Sequence, residues 1–169
     1  SSTSFVAGPI RKKGNTAFVF PIGATTPSNK WARCGMIPVS GTFPTDDFTV
    51  EYKYEGAPFS GSDPAYMTTS GPNLVNNVSV VEYWKVDKNA GTPTVNLQLY
   101  WEDQNISGIV NSPMTDLIVA HWNSVTSKWE SMGQVTPPAS GASGSVISGN
   151  ISSFSPFGFG SISGFHPLP

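Results

Sequence analysis

The sequence predicts an all-β fold, an antiparallel β-sandwich of immunoglobulin-like (Ig-like) or jelly-roll-like type with roughly 8–10 strands. Three observations support this fold class. Apolar and polar residues alternate along several short segments, as they do in strands with one buried face. Turn-forming residues separate these segments, and 17 Gly and 15 Pro contribute many of them. Charged residues, which include good helix formers, make up only 12% of the chain, whereas aromatic residues also reach 12% and can fill a core.

Most of the predicted strands follow from this alternation, whereas 10–13 is predicted as a basic strand because turns at 8–9 and 14–15 frame it. The clearest segments are 48–55 and 94–101, and in the second Val95, Leu97 and Leu99 are predicted to face the core. In chain order, the predicted strands are 10–13, 18–21, 48–55, 78–86, 94–101, 117–122, 146–148 and 157–159.

Three further segments complete the predicted elements. Segment 78–86 carries apolar residues on both faces, which favours a central strand that is covered on both sides. Segment 122–129 has a Trp at each end and turn residues between them, which predicts a hairpin with both indoles in the core. A single helical turn is expected near 113–117.

Two long segments, 28–45 and 57–77, show no strand alternation and are predicted to be irregular loops. Loops of this length in a compact domain are usually either functional or disordered. The first carries Trp31, and the second carries Phe59 and Tyr66, aromatic residues that no strand pattern explains. These loops are therefore the first places to look for a binding site.

Charge and hydropathy exclude two classes of protein. The formal net charge is −2, and the only basic cluster is 11–13, so a nucleic-acid partner is not expected. The chain has no run of about 18 apolar residues, and no insertion into a membrane is expected. With 169 residues, the chain fits a single domain.

Residue types that carry enzyme chemistry are scarce, and the chain is predicted not to be an enzyme. His121 falls on the apolar side of a predicted strand, and His166 lies in a tail that is expected to be mobile. The single cysteine, Cys34, is expected to be a small buried side chain. A hydrolase domain is the weaker alternative, and it would need either two carboxylates that converge in a cleft or a histidine beside a nucleophile.

Calcium is the one candidate cofactor, as a structural ion, because carboxylates in loops are its preferred protein ligands. Asp46, Asp47 and Asp63 are the candidate metal ligands. None of them lies in an Asp-x-Asp-x-Asp-Gly loop, and aspartates that cap turns are the ordinary alternative.

Carbohydrate binding has a physical basis in aromatic rings beside polar side chains, because sugars stack their C–H faces on rings and exchange hydrogen bonds through hydroxyls. Trp31, Tyr66 and Tyr100 are the candidate rings, with Gln98 as a polar partner. Tyr100 and Gln98 share the outward face of their predicted strand. The alternative is that these rings belong to the core.

Six blocks in chain order resemble a module found in large surface and secreted proteins of the Bacteroidetes, a largely uncharacterised family. The blocks are 5–23 (FVAGPIRKKGNTAFVFPIG), 31–33 (WAR), 45–52 (TDDFTVEY), 80–86 (VVEYWKV), 116–122 with 128–129 (DLIVAHW and KW) and 153–161 (SFSPFGFGS). The last five residues, FHPLP, are similar to the stretch that leads into a type IX secretion sorting domain, with His166 where Asn is usual.

The resemblance implies a β-sandwich domain over 1–163 and a linker tail over 164–169 that leads to an absent sorting region. It also implies a secreted or outer cell-surface location, in a monomer within a larger multidomain chain. We therefore expect an extracellular, non-catalytic module for adhesion or carbohydrate binding, with a polysaccharide or surface glycan as partner. The alternative is a structural spacer or cap between a repetitive passenger and the sorting domain.

Overall fold

The structure, a computed structural model, describes residues 3–41, 44–111 and 113–166. Strands account for 43% of these residues and helices for 4%, and antiparallel sheets pack together as a sandwich. The predicted all-β fold class is therefore confirmed. None of the helices in the described residues is long and apolar enough to cross a membrane.

The described residues form fourteen strands, more than the predicted number, because several strands have only two or three residues and show no readable alternation. They are β1 (Val6–Ala7), β2 (Ile10–Lys13), β3 (Phe18–Phe20), β4 (Ile22–Ala24), β5 (Lys30–Trp31), β6 (Cys34–Ser40), β7 (Asp47–Lys53), β8 (Asn77–Val78), β9 (Tyr83–Ala90), β10 (Thr94–Trp101), β11 (Leu117–Asn123), β12 (Lys128–Ser131), β13 (Gly144–Ile147) and β14 (Phe157–Ser161). A short helix, α1 (Gln104–Ser107), follows β10, and a 3₁₀ turn (Met114–Asp116) precedes β11.

The strands form three sheets. A four-stranded sheet has the order β13-β10-β6-β3, and a seven-stranded sheet has the order β12-β11-β14-β9-β7-β2, with β8 paired to β14. All pairs in these two sheets are antiparallel. A small third sheet, β1-β4-β5, contains one parallel pair, β1 with β4.

The main core lies between the four-stranded and seven-stranded sheets. Along β10, buried and half-buried residues alternate without interruption, and Val95, Leu97 and Leu99 are fully buried, as the sequence predicted. Strand β7 contributes Val50 and Tyr52 from the facing sheet. The alternation of apolar and polar residues therefore identifies the side chains that face the core from both sheets.

The outer face of the seven-stranded sheet carries a second apolar cluster. In β11, Leu117 and Val119 join the main core, whereas Ile118 and Ala120 point the other way and pack beneath the segment 57–78. Of the two hairpin indoles, Trp129 is buried in this second cluster, while Trp122 is only half-buried at its edge. The expectation that both indoles lie in the core holds fully for Trp129 alone.

Two of the predicted elements were wrong. Segment 28–45 is not a long loop, because β6 runs through it as a strand between β10 and β3. Its Gly and Pro residues hide the alternation that would have revealed it. Segment 78–86 is not one strand either: it divides into β8 and β9, and β9 continues to Ala90 before a turn at Gly91, where φ is +84°.

A buried carboxylate fastens the last described residues to the sandwich. Asp116 accepts hydrogen bonds from the hydroxyls of Ser161 and Ser163 and from the backbone N–H groups of Ser163, Phe165 and His166. His166 Nδ1 lies 3.1 Å from Asp116 Oδ2, and its Nε2 lies 3.1 Å from the carbonyl oxygen of Val110. His166 is fully buried, so the expectation that it lies in a mobile tail was wrong; 167–169 lie outside the described residues.

Replacement of Leu97 by Ala should lower the free energy of unfolding by about 2–5 kcal/mol, because it opens a cavity between the two sheets. Val125→Ala is the matched control, since Val125 is 92% exposed and its truncation should change stability by less than about 0.5 kcal/mol. Chemical denaturation of both variants measures the difference. A Leu97→Ala variant as stable as the control would contradict the assignment of this core.

Asp116→Asn should cost about 3 kcal/mol of stability, because it removes the charge around which these hydrogen bonds are arranged. Burial opposes ionisation of Asp116, but the hydrogen bonds from Ser161, Ser163 and His166 outweigh it and hold its pKa below the ordinary value. The wild-type protein should therefore keep this stabilisation above roughly pH 5 and lose it progressively as the pH falls. Thermal melts against pH should show a steeper acid-side decline for the wild type than for Asp116→Asn.

Candidate functional site

A pocket of about 400 Å³ opens where β5, the end of β10 and α1 meet. Its lining includes Lys30 and Trp31 from β5, Tyr52 from β7, Glu82 just before β9, Tyr100 at the end of β10, Glu102 and Asp103 beyond it, and Ser107 of α1. The pocket is thus built by all three sheets at one end of the sandwich.

Local geometry explains why these elements meet. Asp103 begins α1, because its carboxylate accepts a hydrogen bond from the backbone N–H of Asn105 at 2.9 Å. Gly108, with φ at +65°, ends the helix after one turn. On the other wall, Trp31 of β5 pairs with Gly23 of β4, where a Cβ would collide with the backbone of β5. Glycine therefore permits the approach that sets Trp31 in place.

Two predicted rings are joined by an arginine. The register of β6 and β10 pairs Leu99 with Cys34, which brings Tyr100 beside Arg33. The Arg33 guanidinium carbon lies 4.5 Å from the ring centre of Trp31 and 4.2 Å from that of Tyr100. Arg33 Nε also donates to Glu102 Oε1 at 2.8 Å. Stacking and ion pairing together fix the wall of the pocket.

A buried carboxyl group, that of Glu82, forms another part of the lining. Glu82 is 3% exposed, and its Oε2 accepts a hydrogen bond from Tyr52 Oη at 2.7 Å. Its Oε1 has no hydrogen-bond partner among the described residues, and neither has Nε1 of Trp31. Both atoms are themselves buried, so they are not exposed to a molecule in the pocket.

Burial is the main influence on the pKa values of both Glu82 and Tyr52. It raises the pKa of Glu82, although hydrogen bonds from Ser107 and Tyr52 and the charge of Lys30 act in the opposite direction. Burial likewise raises the pKa of Tyr52, and the nearby Glu82 carboxyl raises it further. The Tyr52 hydroxyl therefore stays a donor at neutral pH.

The four predicted carbohydrate-binding residues do not form one site. Trp31 and Tyr100 lie together in the pocket lining. Gln98 lies on the same face of β10 as Tyr100, but its Nε2 donates to Ser145 Oγ at 2.8 Å and the residue is not part of the lining. Tyr66 lies elsewhere, on the outer face of the seven-stranded sheet.

Tyr66 belongs to an aromatic patch with Phe59 and Trp122. The ring centres of Phe59 and Tyr66 are 4.5 Å apart, and Phe59 stacks on Trp122 at 5.0 Å. Phe59 is 49% exposed and has a positive φ of 61°, so its backbone adopts a strained conformation to present the ring. The long segment 57–77 thus contributes to an exposed aromatic patch. Most of the segment, however, packs against the outer face of the seven-stranded sheet and covers it.

The three candidate metal ligands are not brought together. Asp47 binds Arg11 and Asn89, and the hydrogen bond from Arg11, ahead of that from Asn89, holds its pKa below the ordinary value. Asp63 accepts from the backbone N–H of Ala65 and caps a turn. Asp46 is buried in a separate environment against Gly91. Within residues 3–41, 44–111 and 113–166, no three His, Cys, Asp or Glu residues converge as a metal site.

Sequence reasoning missed Glu82, Tyr52 and Lys30 as members of the pocket. One signal was available: Glu82 is a charged residue within a segment that has apolar residues on both faces. Such a residue must be either solvated or specifically held, and here it is held by Tyr52. His121, by contrast, packs in its strand as predicted, with its ring 4.7 Å from that of Phe157.

Fold and pocket define the class of protein: a β-sandwich domain with a polar pocket that has aromatic walls. No protein-family model matches the chain, and neither a curated protein nor a solved structure matches it. The resemblance to the Bacteroidetes surface module therefore stays a prediction.

The thiol of Cys34 should be unreactive in the folded protein. It is fully buried, as predicted, and burial raises its pKa well above the ordinary value. A colourimetric thiol reagent at pH 8 should detect no free thiol in the native protein and one thiol per chain in denaturant. Rapid labelling under native conditions would contradict this assignment.

Proposed function

We propose that this domain is a non-catalytic carbohydrate-binding module of a secreted or outer cell-surface protein, and that its ligand is a polysaccharide or surface glycan. The observation that carries the proposal is the pocket itself, where Trp31 and Tyr100 lie beside the polar side chains of Lys30, Glu102 and Asp103.

Sugar chemistry matches this lining. A pyranose ring has apolar C–H faces that pack on aromatic rings, and Trp31 and Tyr100 supply two such rings. Sugar hydroxyl groups can donate to the carboxylates of Glu102 and Asp103 and accept from the amine of Lys30, all of which belong to the pocket lining. A volume of about 400 Å³ accommodates one or two sugar units, within the usual range for ligand pockets.

A structural spacer or cap is the second candidate, and one observation favours it. Arg33 occupies the space between Trp31 and Tyr100, so one face of each ring is already covered by the guanidinium. In that role the stacked side chains would stabilise the end of the sandwich and bind nothing. The two candidates differ in a measurable way, because only the first predicts affinity for a glycan.

Tyr100→Ala and Trp31→Ala should each weaken glycan binding at least about tenfold, because each removes a stacking surface worth more than about 1.4 kcal/mol. Pull-down on insoluble cellulose, chitin and other polysaccharides identifies the ligand, and calorimetry with a soluble oligomer measures the affinity. Phe59→Ala is the matched control, since it removes an exposed ring outside the pocket. A chelator should leave binding unchanged.

The variants separate the outcomes. Loss of binding in Phe59→Ala, with Tyr100→Ala unaffected, would move the site to the aromatic patch and refute the pocket. Failure of the wild type to bind any polysaccharide would favour the spacer. Thermal melting of each variant shows whether a loss of binding reflects unfolding.

A further inference from the structure

A second cavity, of about 370 Å³, lies beside strand β7 at the point where its pairing with β2 ends. It is lined by residues 7–8, 23–27 and 51–55, and we call it the edge slot. Strand β2 pairs with β7 only from Asp47 to Val50, so the next residues of β7 have no paired strand on that side among the described residues. On the other side, β7 pairs with β9 as far as Lys53. The edge slot therefore lies along an unpaired stretch of a strand.

Local sequence explains why β2 does not cover this stretch. It begins at Ile10 directly after Pro9, which has no backbone N–H and cannot extend the ladder. Gly8, with φ at +149°, precedes this proline and turns the chain, and β1 pairs with β4 instead. The line of β2 is therefore left open beside residues 51–55.

The alternation of hydrogen bonds along β7 shows which backbone groups face this opening. In an antiparallel ladder, every second residue directs both its N–H and its C=O to the same neighbouring strand. The N–H of Gly14 donates to the carbonyl oxygen of Asp46 at 2.7 Å, which fixes Val50, four positions further on, as a residue that faces β2. Tyr52 follows two positions after Val50, so its backbone N–H and C=O are directed towards the edge slot.

We propose that the edge slot binds an extended peptide of a partner protein, which continues the line of β2 as an added antiparallel strand. The peptide residue opposite Tyr52 exchanges two backbone hydrogen bonds with it. Given the usual spacings of strands and sheets, the cavity holds roughly two or three residues of an extended chain. The edge slot is separate from the glycan-binding pocket, although Tyr52 lines both.

The side chains around the edge slot favour a basic peptide with an apolar centre. Lys53 Nζ donates to Glu51 Oε1 at 2.7 Å, so these two charges balance each other. Glu55 is exposed and lies in the lining, and it forms no ion pair within the described part of the chain. A lysine or arginine of the peptide complements this carboxylate. Tyr52 faces the core, and the peptide residue directly opposite lies on the same face, which favours an apolar side chain there.

Hydrogen exchange tests the open edge in the free protein. The amide of Tyr52 should exchange at least about tenfold faster than those of Val50 and Glu51, because these neighbours pair with β2 and β9. Exchange of Tyr52 as slow as that of Val50 would overturn the inference, since it would mean that this edge is already occupied.

Peptide binding tests the occupant. The probe is the peptide Ser-Lys-Val-Lys-Ser with both ends blocked, added to the full chain and followed by NMR. It should shift the Tyr52 amide and slow its exchange. Methylation of the backbone nitrogen of the peptide's Val should abolish binding, because that N–H donates to the carbonyl oxygen of Tyr52.

Charge reversal tests the preference for a basic peptide. Glu55→Lys should weaken binding of the probe roughly two- to fivefold, which is the effect expected of an exposed charge pair. Asp87→Lys is the matched control, because it makes the same change of net charge outside the lining and should leave binding unchanged. An equal effect of both variants would overturn the assignment of the basic side chain to Glu55.

Further outcomes separate this site from the glycan-binding pocket. Tyr100→Ala should leave peptide binding unchanged, so the two proposals can fail independently. Absence of binding by the probe, equal binding of the methylated peptide, or shifts confined to residues outside 51–55 would each overturn the inference. Displacement of the peptide by a soluble glycan oligomer would assign the edge slot to a sugar and overturn it as well.

Discussion

Strands β11 and β14 of the seven-stranded sheet must be covered on both faces, and this constraint organises the rest of the molecule. These strands are buried on both sides, so one apolar layer alone would leave half of their side chains in water. The four-stranded sheet covers the inner face, and the segment 57–78 covers the outer face. Lys128 Nζ fixes that segment by donating to the carbonyl oxygens of Pro64, Ala65 and Met67. The third layer is therefore held by polar contacts as well as by apolar packing.

The alternation of apolar and polar residues predicted the strands that have one buried and one accessible face. It failed for strands without this arrangement. Strands β7 and β10 were predictable because each has one buried and one accessible face. Strand β6 was not, because Gly35 and Pro38 carry no pattern and its pairing with β10 depends on residues about sixty positions away. His166 was placed wrongly because its partner, Asp116, lies 50 positions earlier in the chain. Contacts of this range leave no local signal.

The sequence allowed individual residues of the candidate site to be predicted, but it did not show which of them come together in the fold. Trp31 and Tyr100 stood out because no strand pattern required a ring at either position. The link between them is Arg33, and the partner of Arg33 is Glu102, 69 positions later. Glu82 escaped notice because a single acid in an apolar segment resembles a solvated residue until its burial is known. The chemistry of the pocket thus arises from tertiary structure.

The contacts that hold the Arg33 side chain in place would also affect how a ligand binds in the pocket. The guanidinium is held by two rings and one carboxylate, so the side chains of this wall have already given up their rotational freedom in the folded protein. A molecule that enters would not have to order them again, and most of its interaction energy would appear as affinity. Preorganisation of this kind favours rigid, lock-and-key association over a slow adjustment of the binding surface.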